Sequence, residues 1–259
     1  MKTPQTLFLA WQDTNSRAWF SIGRLTFDGG KYKFVYTQGV KAAQEKSDFR
    51  PLFSFPEINQ VYTSTYLFPV FSNRLMSRSR PDYTEFLKLL NIGEQEAEPM
   101  TILARSGGEK KTDTLAVFPC PQPDERGRYQ LYFFAHGLRY LPESAIERIN
   151  RFEIGEKLWL AREVQNAHDS QALTLHTEDH YIVGYCPRYL VSEVSQLLTP
   201  STFVELRVER VNLPSTPLQF RLLCQITALC TDNFYPFSSQ EYQPLIEEEV
   251  KSTSLLRVY

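Results

Sequence analysis

G-L-R-Y-L at residues 137–141, A-R-E-V-Q-N-A-H-D-S-Q-A-L at 161–173 and I-V-G-Y-C-P-R at 182–188 decide how the second half of this chain folds. Polar clusters recur at what read as strand ends: Arg139 with Tyr140, Asn166 with His168 and Asp169, and Tyr185 with Arg188. Apolar runs lie between them (Leu158 and Leu160, Leu173 and Leu175, Ile182), with the alternation of half-buried strands. Working outward, 129–135 reads as a strand ending at His136-Gly137. Residues 142–150 form a short helix, with Pro142 near its start and an acid in the first turn, where the helix dipole favours it. Strands follow over 157–163, 172–177 and 181–186. Pro187 opens a second helix with Leu190, Val194 and Leu197 on one side, and 202–211 with 217–229 makes a closing hairpin. Strand, helix, three strands, helix, two strands suits a small closed or partly open β-barrel.

The G-L-R-Y, N-x-x-D and G-Y-x-P-R clusters, in this order, resemble the HIRAN domain, a small β-barrel module that captures single-stranded DNA at its free 3′ end in fork-remodelling helicases. The resemblance covers roughly the last half of the chain and implies a DNA-binding set of Arg139, Tyr140, Asn166, His168, Asp169, Tyr185 and Arg188. The chemistry suits such a ligand. Arg139 and Arg188 present planar forks to phosphates, and Tyr140 and Tyr185 offer rings for unstacked bases. Asn166 offers an amide to a base edge or phosphate. Asp169 can accept a hydrogen bond from a 3′ hydroxyl and would repel a 3′ phosphate. His168 stands where fork-remodelling members place Tyr; an imidazole still stacks, and it can charge near neutral pH.

In the first half, 19–27 and 32–37 read as strands around Asp28-Gly29-Gly30, a hairpin turn by its glycines. Trp11, Phe20, Ile22, Phe34 and Tyr36 then supply one sheet face. Residues 39–48 read as a polar connection and 50–56 as extended between prolines. A helix begins near Pro81, with Tyr83, Phe86, Leu87 and Leu90 on one face and Gly93 as its stop. Residues 94–99 read as an acidic connector, and an apolar strand follows at 115–118. I-G-R-L-T-F-D-G-G-K-Y-K-F-V-Y, followed by F-P-V-F-S-N-R-L, a helix and L-A-R-S-G-G, resembles the small N-terminal subdomain of HipA-type toxin kinases. Met76-Ser77 replaces that family's Pro-Glu, and no kinase catalytic lobe follows. The resemblance therefore implies an accessory fragment without phosphotransfer chemistry, which needs metal-binding Asp and Asn residues and a phosphate-cradling loop.

The chain of 259 residues is 42% hydrophobic, 22% charged and 14% aromatic, with a formal charge of -2. That is an ordinary globular composition with no overall basic field, so any nucleic-acid site must be local. No apolar run is long enough for a membrane span, and the apolar patch near the N-terminus is too short for a signal peptide, so cytoplasm is the default expectation. The four cysteines, Cys120, Cys186, Cys224 and Cys230, lack C-x-x-C spacing and read as buried thiols; no metal or cofactor is expected. H-T-E-D-H at 176–180 has its Glu at the wrong offset for a zinc protease and falls in a hairpin turn. Neither Ser144 nor Ser170 lies in a nucleophile elbow, and S-G-G-E-K-K-T lacks phosphate-loop spacing. Arg74, Arg78 and Arg80 make the most basic stretch and are possible phosphate contacts.

The expectation is thus a mainly β (α+β) protein in two domains and a tail. Residues 1–123 form a β-sheet subdomain with a helix, 124–232 a HIRAN-like barrel with two short helices, and 233–259 a C-terminal tail whose Phe234, Tyr235, Phe237 and Leu245 are too apolar to hang free. The expected function is non-enzymatic: binding single-stranded DNA, including its 3′ end, and guiding a partner that does the chemistry. The alternative is an antitoxin or regulator that docks on a HipA-type kinase through the first half.

Overall fold

Glycine at positions 29 and 30 turns the chain back on itself between two long antiparallel strands, and the rest of the first half is laid around that hairpin. The computed structural model describes residues 6–166, 169–198, 203–229 and 235–246. In chain order these form β1 (Thr6–Gln12), β2 (Trp19–Asp28), β3 (Lys31–Tyr36), α1 (Gly39–Lys46), β4 (Tyr62–Ser64), α2 (Pro69–Ser72), α3 (Tyr83–Leu89), α4 (Pro99–Ser106) and β5 (Leu115–Pro119). The second half continues with β6 (Arg128–Phe134), α5 (Glu143–Asn150), β7 (Lys157–Arg162), β8 (Leu173–His176), β9 (Ile182–Tyr185), α6 (Val191–Leu197), β10 (Val204–Val211) and β11 (Leu222–Leu229). The protein is mainly β: an N-terminal sheet joined to a curled, partly closed barrel.

The first sheet has the order β4-β3-β2-β1-β5. Strand alternation divides β1 between two cores. Leu7 and Leu9 join Ile22, Phe34, Tyr36 and Phe55 on one side, while Phe8 and Ala10 face the barrel on the other. A strand covered on both faces has no polar side to show, which is why T-L-F-L-A-W is almost unbroken apolar sequence. Trp11 and Phe20 pack against the same cluster as Ile22, Phe34 and Tyr36, so the expected shared face is present.

The second sheet has the order β6-β11-β10-β7-β8-β9. It curls until its two edges meet: His136, just past β6, exchanges backbone hydrogen bonds of 2.9 and 3.0 Å with Tyr185 of β9. Leu131, Leu158, Leu175, Val183, Leu206 and Ile226 fill the interior, and Ile149 of α5 and Val194 of α6 join the same cluster.

Two seams join the halves. In one, Phe118 stacks on Tyr189 with ring centroids 5.3 Å apart, and Phe237 and Tyr242 of the C-terminal segment pack onto Phe8. In the other, Leu90 and Ile102 meet Phe134 and Leu223, and the Arg105 guanidinium lies 3.8 Å from the centroid of the Tyr132 ring. Phe237 and Tyr242 are therefore core material, whereas Tyr235, expected to pack with them, is 67% exposed. In the same segment the Leu245 N–H donates to Tyr36 O at 2.8 Å and adds to the first sheet. Phe234 and Cys230 lie outside the described residues.

Several expectations for the first half are corrected. Residues 39–46 are helical, with Val40 and Ala43 buried under an otherwise polar surface. The stretch after residue 98 is not all connector: Pro99 opens α4, which buries Met100, Ile102 and Leu103 and stops at Gly107 in the left-handed conformation. Helix α3 ends before Gly93, because Asn91 takes the left-handed turn (φ 53°) and Ile92 N–H closes onto Leu87 O. Residues 50–56 are not extended throughout: Phe55 N–H makes a turn bond to Leu52 O at 2.7 Å. Cys186 and Cys224 are buried, and burial pushes both thiols up; Cys120 is part-exposed. No helix among the described residues is long and apolar enough to cross a membrane.

Candidate nucleic-acid interface

Two glycines dictate how the barrel closes. Gly137 has φ +76°, and a Cβ placed there would stand 2.6 Å from Cδ2 of Tyr185. Gly184 has φ +147°, and its Cβ would meet the Ala135 methyl at 2.9 Å. Only glycine gives both the conformation and the room. Together they let β9 lie directly on the turn after β6, so that the G-L-R-Y and G-Y-C-P-R clusters, 45 or so residues apart in sequence, become neighbours. Past Gly137 the chain makes a tight 3-10 turn over Leu138–Tyr140. Leu138 is buried beneath it, while Arg139 and Tyr140 project, Tyr140 being 79% exposed. The Arg139 guanidinium sits 5.7 Å from the Tyr140 ring centroid, so cation and ring present one surface.

A chain of contacts runs from Tyr185 to the first half of the molecule. Tyr185 hydrogen-bonds to Glu163; burial, and then the Glu163 charge, hold its phenol above the ordinary value. Asn166 Nδ2 donates to Glu163 Oε2 at 2.6 Å, and Asn166 Oδ1 accepts the Asp169 N–H at 3.0 Å. Asp169 Oδ1 accepts the Gln171 N–H at 3.0 Å, and Asp169 Oδ2 takes Arg188 Nε at 2.8 Å. Arg188 then donates Nη1 to the carbonyl of Arg17, 2.9 Å away on the β1–β2 connection. Pro187 begins the short turn that carries Arg188 and leads into α6, which fixes where that guanidinium stands.

The structure thus joins Tyr185, Asn166, Asp169 and Arg188 in one network, and sets Arg139 and Tyr140 on the turn beneath Tyr185. His168 lies outside the described residues. Asn166 spends its amide on shaping the 163–172 loop and so acts as a positioning residue. With Gln171 on one oxygen and Arg188 on the other, about two of the four carboxylate lone-pair sites and further guanidinium protons remain for a ligand among the described residues. Opposite charges offset one another in the Asp169–Arg188 pair, while Arg139 carries no ion pair among the described residues.

The arginines of the first half serve other ends. The Arg74 side chain is 2% exposed, and its guanidinium donates to Val70 O, Gly108 O and Asp113 Oδ2 at 2.7–2.8 Å, so it braces a loop. Arg80 is held by both oxygens of Asp82 at 2.8 Å, and Arg78 donates to Ala97 O at 2.8 Å. H-T-E-D-H lies where the hairpin between β8 and β9 turns: Asp179 is tied to Arg148, and His180 takes φ 67°. Among the described residues no three His, Cys, Asp or Glu side chains converge as a metal site.

Two participants were missed in the sequence. Glu163 was within reach, standing three residues before Asn166 at a strand end. Arg17 left no signal, since its contact with Arg188 spans 171 positions and uses the backbone.

The second half is thus a small barrel closed at two glycines, with Arg139, Tyr140, Tyr185 and Arg188 along one edge. The HIRAN domain family model matches residues 129–227, the segment that builds this barrel and this edge. Two crystal structures are similar to part of the chain. One is a protein from Lactobacillus plantarum, at 20% identity over 39% of this chain and 97% of that one, with a TM-score of 0.32. The other is the HIRAN domain of human HLTF, at 17% identity over 40% of this chain and 81% of that one, with a TM-score of 0.31. No curated protein sequence matches the chain. The family match does not extend to residues 1–128.

Proposed function

We propose that the chain binds single-stranded DNA at its 3′ end, at the barrel edge, as a non-enzymatic module that guides a partner. The observation that carries this is the convergence of the matched family's polar clusters on one network, Tyr185–Glu163–Asn166–Asp169–Arg188, beside the exposed Arg139–Tyr140 pair. In this reading Arg139 grips a phosphate and Tyr140 stacks on a base. Arg188 orients Asp169, a free lone pair of which accepts the terminal 3′ hydroxyl. A terminal phosphate would bring a second anion against Asp169. Each phosphate contact adds about −0.7 to the salt slope of single-strand binding, so Arg139→Ala should lower affinity and flatten the slope by about that amount. The test is fluorescence anisotropy at low salt with a short strand ending in 3′ hydroxyl or 3′ phosphate. Preference for the hydroxyl end, lost in Asp169→Asn, supports end reading. Equal binding of both ends by the unaltered protein leaves only backbone and stacking contacts, and no binding of either removes the proposal.

For the first half, the HipA-type resemblance motivates a docking role, and the fully exposed Phe53 and exposed Tyr66 are the features that favour protein contact there. Mixing with a purified HipA-type kinase and reading complex formation by light scattering decides it; two unassociated species would end that reading.

A further inference from the structure

The outer face of β7, β8 and β9 carries a second aromatic position leading away from Tyr185. Register places Tyr185, Thr174 and Ala161 in one row across the three strands, and Ile182, His176 and Trp159 in the adjacent row. Alternation sends Leu158 into the core and leaves Trp159 outside, 40% exposed. The Lys157 ammonium lies 5.2 Å from the Trp159 ring centroid. His176 is held to the sheet beside it, its Nε2 2.7 Å from Thr174 Oγ1. Strands spaced about 4.8 Å apart, with a rise of about 3.4 Å per residue, put Trp159 roughly 12 Å from Tyr185. That distance falls within the few nucleotides that small barrels engage, about 4–16 per site.

An indole outside the core with a cation against it is the pairing that single-strand sites use, a ring for a base of any sequence and a charge for the adjoining phosphate. We propose that Trp159 and Lys157 form a second stacking position, holding a base a few nucleotides to the 5′ side of the end seated at Asp169. This rests on the single-strand reading of the barrel edge and extends its path across the sheet. The occupant is the same strand, because the row of Trp159 adjoins the row of Tyr185.

The test uses the full chain with thymidine oligonucleotides of three and ten nucleotides, both ending in a 3′ hydroxyl. Trp159→Ala should weaken the longer strand about tenfold, the effect of losing one stacked base, and leave the shorter one unchanged. Trp159→Phe, which keeps a ring on the sheet, should retain most of the affinity, and Lys157→Gln should reduce the salt slope for the longer strand only. If Trp159→Ala binds both strands as the unaltered protein does while Arg139→Ala weakens both, the second position is overturned and the end site stands. Equal weakening of both lengths by the Trp159 variants would mean a general disturbance of the barrel and also overturn it. Failure of the unaltered protein to bind either strand removes both readings.

Discussion

Gly137 concentrates the geometry of the barrel edge in one position. Its φ of +76° costs any other residue, and the Tyr185 ring occupies the space a methyl group would need. Gly137→Ala should therefore destabilise the protein by about 1–3 kcal/mol, combining backbone strain with displacement of the ring. Thermal melting of the variant checks this, and an unchanged melting temperature would show that the closure is looser than described. Because Arg139 and Tyr140 follow directly on that turn, the same substitution should also lower single-strand affinity beyond what the stability loss explains. At Asp169 the residue scale shows division of labour: one oxygen fixes the loop through Gln171, the other meets Arg188. A carboxylate bound in this way keeps its orientation before a ligand arrives, which limits the ordering that binding must supply.

Among the elements, α6 holds the least expected group. Glu193 is buried there and accepts the Phe237 N–H at 2.6 Å, so one carboxyl pins the C-terminal segment to the helix. Burial raises its pKa from the ordinary 4.5 to about 7. The folded protein thus holds this proton more tightly than the unfolded chain does. The associated stability is complete below pH 4.5 and is lost as pH rises through about 7, on the order of 2–3 kcal/mol in all. Glu193→Gln keeps an acceptor for Phe237 and removes the titration. Its melting temperature should exceed that of the unaltered protein at pH 8 and converge with it near pH 5; parallel profiles would refute the assignment. How far the elements were legible follows from the same physics. In the barrel, every strand and both helices were readable: β6, β7 and β10 keep a wet face and alternate, and the shorter, more buried β8 and β9 are marked off by turn residues between apolar runs. In the first half, β1 was hidden by burial on both faces, and α1 by having only Val40 and Ala43 to mark its apolar side. Helix α4 carried legible signals, Pro99 at its first position and Gly107 after it, but Pro99 was read as the end of a connector and Gly107 as part of the stretch leading into β5. Of the site, the residues were legible as motifs, but their coupling through Glu163 and to Arg17 was not, since neither contact follows from local spacing.

At the scale of the molecule, the two sheets share seams and do not merely touch. Phe237 meets Phe8 and Phe118 of the first sheet within 5.5 Å between ring centroids, and its N–H donates to Glu193 of α6, so it belongs to both halves. Phe237→Ala should cost about 3–5 kcal/mol, and the unaltered protein should unfold in one transition, with tryptophan fluorescence and circular dichroism coincident. Two separated transitions would mean that each sheet stands alone. The C-terminal segment has a further consequence for synthesis. The first sheet is made early, yet the rings that cover Phe8 and the strand-like bond to Tyr36 come from residues 237–245. While the chain is still on the ribosome, the barrel-facing side of β1 and β5 is covered in two steps, by Tyr189 as the barrel forms and by Phe237 and Tyr242 only when the C-terminal segment emerges. The sheet translated first is therefore the one finished last, and during that interval its greasy face is open to chaperones.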